Sequence, residues 1–336
     1  MSLNTLEEIA SYIVSDGKGI LAADESNPTC TKRFDTIGVE STEESRRDYR
    51  EMLFRSGGIQ GNIGGVILFD ETIRQNAKDG TSLVDLMNSQ GALPGIKVDK
   101  GLQPIGDSDE TVTVGLDGLD ERLKEYSLLG AKFTKWRAVI KIGNNLPTDN
   151  CIDANMKALA DYAKVVQDNG MAPMVEPEVL MEGDHSIEEC FAATERSLKS
   201  LFHHLKENGV NIKGTILKPN MVTAGSTCSN QASINEVAEQ TLECLKANVP
   251  SELPAITFLS GGQSELLATA HLDAMNKIGG FDWKLSFSYG RALQAPTLKA
   301  WMGKPENVFI AQDALSHRAK MNQLAALGEW DKGLED

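Results

Sequence analysis

The chain has 336 residues, too many for a small stapled module and enough for one barrel or two ordinary domains. It is 41% hydrophobic and 24% charged with 11 prolines, which excludes a disordered or collagen-like polymer and allows a sizeable core. With 33 basic and 48 acidic residues its formal charge is −15, so its averaged field repels nucleic acid and acidic membrane surfaces, and a phosphate-bearing ligand must be met by a local basic cluster.

Residues 1–18 form an expected helical extension: Met1 to Ile13 carries Glu7 and Glu8 in a helix-like pattern, without the basic leader of an export signal. Eight short apolar runs rich in branched residues follow, each closing on a polar or charged residue. They are Gly19 to Asp24, Gly64 to Asp70, Pro94 to Asp99, Phe133 to Ile140, Ala172 to Glu178, Gly214 to Asn220, Ala255 to Gly261 and Lys284 to Gly290. Segments with helical spacing lie between them, among them Asp153 to Gln167, Glu188 to Glu207, Ile234 to Ala247 and Ser264 to Lys277. A carboxy-terminal helical segment is expected from about Lys304 to Asp336.

Strand then helix, repeated eight times, is the pattern of parallel pairing, in which crossover helices cover the sheet. The expected fold is therefore an α/β (β/α)8 TIM barrel spanning 1–336 as a single domain. An open doubly wound sheet is the competitor, and it lacks the GxGxxG expected after a first strand. No linker or low-complexity block divides the chain. Five widely spaced cysteines without a CxxC pair fit a reducing compartment, and no apolar run approaches the ~18 residues of a membrane span, so a cytoplasmic protein is expected.

In such a barrel the reactive residues gather at the carboxyl ends of the strands. Here those ends carry Asp24, Lys97 with Asp99, Lys135 with Arg137, Glu176 with Glu178, Lys218, Ser260 before Gly261 and Gly262, and Arg291 just past Tyr289. Residues spaced by two share one side of a strand. Any one of these charges can be a solvated strand end or one half of a structural pair. Around one mouth, so many would be poorly solvated unless they served each other or a ligand.

Lys218, late in the apolar run TILKPN, is expected to be partly buried, which disfavours its ammonium form. A neutral amine there can attack a ketone and form a Schiff base. The resulting iminium withdraws electrons, so a neighbouring carbon–carbon bond breaks when a base removes a hydroxyl proton. Lys218, Glu176, Asp24 and Lys135 supply the amine, the carboxylates and the steadying cation that this retro-aldol chemistry needs. LSGGQSE (Leu259 to Glu265) offers backbone donors at Ser260, Gly261 and Gly262 leading into a helix, and Arg291 follows one strand later. Lys32, Arg33, Lys97 and Arg137 form a second basic group. Two anion sites across one mouth suggest an extended bisphosphate.

The motifs LAADES, GGVILF, GIKVDKG, KWR, VEPE, LKPNM, FLSGGQSE and FSYGRALQ, in this order from about Gly19 to Trp301, resemble class I fructose-1,6-bisphosphate aldolase. The resemblance implies a metal-independent, cofactor-free (β/α)8 barrel, usually a homotetramer, that cleaves fructose 1,6-bisphosphate to dihydroxyacetone phosphate and glyceraldehyde 3-phosphate. It further implies that Lys218 is the Schiff-base residue, Glu176 the acid/base group, Glu178 a support for Lys218, Asp24 a participant near the C4 hydroxyl and Lys135 an electrostatic helper. Ser260, Gly261, Gly262, Ser288 and Arg291 would hold the C1 phosphate. Ser26, Thr29, Arg33, Lys97 and Arg137, with Lys32 nearby, would surround the C6 phosphate.

Thr29 stands where the animal pattern commonly has serine, and its hydroxyl keeps the hydrogen bond. Animal members carry a terminal tyrosine that assists proton exchange, whereas this sequence ends GEWDKGLED. Tyr289 and the carboxylates of the mouth are the candidates to replace it. A metal-dependent aldolase would need clustered histidines, but His185, His203, His204, His271 and His317 fall in loops or helical segments. A non-catalytic scaffold would be expected to have lost part of the mouth, which is complete here. The seven-carbon sedoheptulose 1,7-bisphosphate is a second candidate substrate.

Overall fold

The computed structural model describes residues 3–335, so Met1, Ser2 and Asp336 at the ends of the two expected helical segments lie outside the described residues. Eight strands, β1 (Gly19–Ala23), β2 (Ile63–Leu68), β3 (Leu93–Lys97), β4 (Phe133–Ile140), β5 (Ala172–Val179), β6 (Ile216–Leu217), β7 (Ala255–Phe258) and β8 (Lys284–Tyr289), pair in parallel and close on each other in sequence order. The expected (β/α)8 barrel is thus the observed one, and the open sheet is excluded by the β1–β8 pairing, Ile20 to Ser288 and Leu21 to Tyr289. The crossover helices include Asp149–Asp168, Ile187–Glu207, Ile234–Asn248 and Glu265–Ile278, within a few residues of expectation. A short antiparallel pair, Leu102–Pro104 with Thr111–Thr113, follows β3 and was not foreseen, because three-residue strands have no readable period.

Alternation along the strands sorts the core into two. Inward-facing Ile20, Ala22, Ile67, Phe133, Ala172, Met174, Ile216 and Ala255 form one cluster with Ile9, Ala10, Ile13 and Val14. The helix Leu6–Ile13 therefore plugs the amino-terminal end of the barrel with its apolar stripe, and a Thr5–Glu8 capping box fixes its start. The outward faces of the strands pack against the helical ring. Burial thus leaves the opposite, carboxyl end of the barrel free for polar residues.

Two local departures from the sequence expectation shape that end. The run Gly214 to Asn220 is extended strand only at Ile216–Leu217, since Gly214 closes a 3-10 turn and Pro219 has no N–H to continue the ladder. Lys218 makes the last ladder bond, its N–H donating to the Val175 carbonyl at 2.9 Å, and the Asn220 side chain then accepts the Val179 N–H at 3.0 Å. Likewise β7 ends at Phe258, so Leu259 to Gly261 is a loop, with Gly261 at φ 54°.

The carboxy-terminal helix Val308–Leu327 is followed by a 3-10 turn, Lys332–Glu335, that folds back on it. Glu335 pairs with buried Arg318, and the Trp330 N–H donates to Asp273 at 3.1 Å. No helix of the described residues is long and apolar enough to cross a membrane.

Inside the barrel, Phe133 occupies space that Gly65 and Gly95 leave open; a Cβ added at Gly95 would stand 2.3 Å from its ring. Gly95→Ala is therefore expected to cost about 1–3 kcal/mol in denaturant unfolding, as overpacking does. Combined with Phe133→Leu it should cost much less than alone, and strict additivity of the two would refute the steric account.

Candidate active site

The strands end at a cavity of about 260 Å3 whose lining includes Asp24, Ser26, Thr29, Arg33, Lys97, Lys135, Arg137, Glu176, Glu178, Lys218, Ser260, Gly261, Ser288 and Arg291. Fourteen of the sixteen residues singled out from the sequence therefore meet at one place. The other two sit beside it: exposed Lys32 lines a neighbouring basic cavity together with Arg33, Arg137 and Arg291, and Gly262 lies on the rim of its loop.

At the centre four side chains share one buried network. Lys218 Nζ lies 3.0 Å from Glu176 Oε1, and Lys135 Nζ lies 2.7 Å from Asp24 Oδ2 and 3.3 Å from Glu176 Oε2. Each is brought there by strand geometry: Lys135 and Glu176 are inward-facing on adjacent β4 and β5, Asp24 directly follows β1, and Lys218 directly follows β6. All four are largely withdrawn from water.

Burial pushes the Asp24 carboxyl upward, but Lys135, Lys218 and Lys97 outweigh it and hold it well below the usual carboxylate range. Glu176 behaves alike: burial opposes ionisation, yet Lys135, Lys218 and Arg137 leave its carboxyl below the ordinary value. Burial disfavours the Lys135 ammonium, but Asp24, Glu176 and Asp99 raise it above the ordinary amine range, so it stays a cation. Among the described residues Ser288 Oγ is buried without a hydrogen-bond partner, while Glu176 Oε2 has its ion pair with Lys135. An unpartnered buried atom is costly unless a ligand meets it.

Around the centre stand two groups of anion-binding character. On one side the Gly261 carbonyl accepts from Arg291 Nη2 at 2.5 Å, and Ser260 and Ser288 are buried beside it. On the other, Ser26 Oγ and Thr29 Oγ1 are 3.1 Å apart at the start of the helix Asn27–Asp35, and Lys97 Nζ is 2.6 Å from Asp99 Oδ1. Arg33 pairs with Glu25, and Arg137 donates through Nε to Glu178.

Three expectations need correcting or extending. Glu178 engages Arg137 and forms no ion pair with Lys218 among the described residues, as it lies two residues, about 6.6 Å, further along β5 than Glu176. Tyr289 is fully buried and outward-facing, its hydroxyl donating to the Ala268 carbonyl at 2.9 Å, so it does not face the cavity and cannot be the proton carrier there. The reading also missed Glu25, which lines the cavity and is held by Arg33, by Gln294 Nε2 at 2.8 Å and, through its backbone carbonyl, by Arg50 at 2.7 Å. Its place within LAADES was the available signal. Among the described residues no three His, Cys, Asp or Glu side chains are grouped to hold a metal ion.

Fold and site together define a barrel enzyme with a buried lysine–carboxylate centre flanked by two groups of basic and hydroxyl side chains. The family description "Fructose-bisphosphate aldolase class-I" matches residues 5–336. A probable fructose-bisphosphate aldolase class 1 of Xanthomonas axonopodis is 53% identical, covering 98% of this chain and 99% of that one. The cytosolic fructose-bisphosphate aldolase 4 of Arabidopsis thaliana is 51% identical, covering 95% and 82% respectively. The solved Plasmodium falciparum fructose-bisphosphate aldolase superposes with a TM-score of 0.96 at 47% identity, over 98% of this chain and 95% of that one. The chain belongs to the class I fructose-bisphosphate aldolase family, a family of carbon–carbon lyases.

The ionised carboxylates make a pH prediction. Asp24 and Glu176 have folded values below their ordinary 3.8 and 4.5, so their stabilisation is complete above those values and is lost as pH falls through the lowered ones. Unfolding free energy should decline as pH drops below about 4.5. An Asp24→Asn variant should show a shallower decline by circular dichroism, and an unchanged slope would count against the assignment.

Proposed function

We propose that the chain cleaves fructose 1,6-bisphosphate through a Schiff base on Lys218, with no metal. The observation that carries this reading is the approach of Lys218 Nζ to Glu176 Oε1, 3.0 Å, in a buried centre where Lys135 is held as a cation. Glu176, ionised before reaction, is placed to take a proton from Lys218 Nζ. The amine attacks the C2 ketone, and Glu176 returns the proton as the carbinolamine loses water. A carboxylate, Asp24 with Glu176, then removes the C4 hydroxyl proton. The C3–C4 bond breaks, glyceraldehyde 3-phosphate leaves, and the electron pair moves into the enamine. Protonation at C3 and hydrolysis release dihydroxyacetone phosphate and free Lys218.

Lys135 lowers the cost of negative charge developing at the reacting oxygens. Ser260, Gly261, Gly262, Ser288 and Arg291 are assigned to the C1 phosphate. Ser26, Thr29, Lys32, Arg33, Lys97 and Arg137 are assigned to the C6 phosphate, with Glu178 orienting Arg137. The carrier of the C3 proton is a carboxylate of the mouth. Sedoheptulose 1,7-bisphosphate shares the groups from C1 to C4 and is a second substrate on this reading. A cytoplasmic homotetramer, each copy one barrel domain with its flanking helices, accords with the resemblance.

Borohydride reduction in the presence of dihydroxyacetone phosphate should trap the adduct on Lys218 in peptide mapping, and Lys218→Met should abolish both adduct and cleavage. An adduct elsewhere, or cleavage at full rate by that variant, would overturn the reading, as would loss of activity to EDTA with rescue by zinc. Arg291→Ala is expected to raise KM for the bisphosphate by a loss of roughly 1.5–3 kcal/mol of charge-assisted binding; an unaltered KM would remove Arg291 from the phosphate site.

A further inference from the structure

The phosphate loop is braced from behind by two residues outside the lining of the catalytic cavity. Gln263 closes the loop, and its backbone N–H donates to the Ser260 carbonyl at 3.1 Å. Its side-chain Nε2 donates to the same carbonyl at 3.2 Å and approaches Met221 Sδ at 3.7 Å. Its Oε1 meets Nδ1 of His271, on the buried face of the helix Glu265–Ile278, at 2.6 Å. Since a carbonyl only accepts, the amide nitrogen must face Ser260 and the amide oxygen must face His271. Nδ1 of His271 therefore carries the proton.

This chain of bonds has a consequence at the cavity. In a trans peptide the carbonyl of Ser260 and the N–H of Gly261 point to opposite sides. Holding the carbonyl on the Gln263 side turns the Gly261 N–H away from it, and Gly261 and Ser260 line the cavity whereas Gln263 does not. Gly261 sits at φ 54° with no Cβ to resist rotation, so the peptide needs an external brace to stay in that orientation. His271 is nearly fully buried, and burial pushes its imidazole down to about 4, so it remains neutral and donates through Nδ1. Its other nitrogen, Nε2, is buried without a hydrogen-bond partner among the described residues, a cost the fold carries beside the one short bond to Gln263.

We propose that His271 and Gln263 are positioning residues that fix the Ser260–Gly261 peptide for binding the ketose phosphate. The proposal rests on the assignment of this loop to the C1 phosphate, which dihydroxyacetone phosphate carries in the condensation direction. Glyceraldehyde 3-phosphate carries the other phosphate and serves as an internal control.

The test is condensation kinetics on the full chain. His271→Leu and Gln263→Met should each raise KM for dihydroxyacetone phosphate about 3- to 10-fold with kcat and KM for glyceraldehyde 3-phosphate unchanged, the signature of lost ground-state binding. His271→Asn, whose amide nitrogen falls near the place of Nδ1, should restore KM. Partly exposed Gln263 keeps the test open if His271→Leu does not fold. Equal changes for both substrates, no change, or a lower melting temperature alone would overturn the proposal. A wild-type chain that condenses neither substrate would instead overturn the aldolase mechanism on which it rests.

Discussion

Two amines and two carboxylates share the least hydrated part of the barrel mouth, and none of them is tolerable there alone. Bringing a charge out of water costs several kcal/mol, and mutual attraction offsets this only when every partner is in place. Asp24, Lys135, Glu176 and Lys218 come from four different strands, so the network exists only if the barrel has closed with the correct register. Closure in turn depends on the lower half of the barrel, where Phe133 fills the space left by Gly65 and Gly95 and the helix Leu6–Ile13 seals the end. The apolar floor thus supports the charged ceiling, and the two lie at different heights on the same inward face of the strands.

A second network stands behind the anion pocket that begins at Ser26. Arg50, fully buried, lies between Glu25 and Glu71 at 3.8 Å from each, and Glu71 is held by Arg46 at 2.6 Å. Glu25 is thereby fixed, and it is the partner of Arg33. On the proposed reading, an incoming phosphate would compete with that carboxylate for the guanidinium. The Arg291 side is arranged differently, with its arginine bonded to the neutral Gly261 carbonyl rather than to a carboxylate.

The barrel was legible because each strand is a short branched-residue run bounded by loops, and parallel pairing follows from the interleaved helices. Legibility ended where the run outlasts the strand: β6 stops after Leu217, shortly before Pro219, and β7 stops at Phe258, before the loop that holds Gly261 and Gly262. At the site, residues at strand ends were readable because topology converts that position into proximity. Tyr289 failed because the same alternation that turns Ser288 inward turns its neighbour outward, against Ala268. Glu178 shares a face with Glu176 but not its height, and its ion pair is with Arg137. Arg50 and Gln294, which hold Glu25, contact it across 25 and 269 residues, and no local pattern reports such distances.

Two buried lysines touch Glu176, and the proposed chemistry needs only one of them to become a nucleophile. The difference between them lies in the number of carboxylates each faces. Lys135 has Asp24 at 2.7 Å and Glu176 at 3.3 Å, and the pair keeps it cationic. Lys218 has one carboxylate within ion-pair reach among the described residues, Glu176, whose Oε1 lies 3.0 Å away. Proton transfer across that single contact leaves a neutral amine beside a neutral acid, with Lys135 and Asp24 still compensating each other. The same transfer from Lys135 would remove the cation nearest Asp24, 2.7 Å away. Strand position therefore sets the two lysines apart: Lys135 lies between two acids, and Lys218, just after β6, pairs with one.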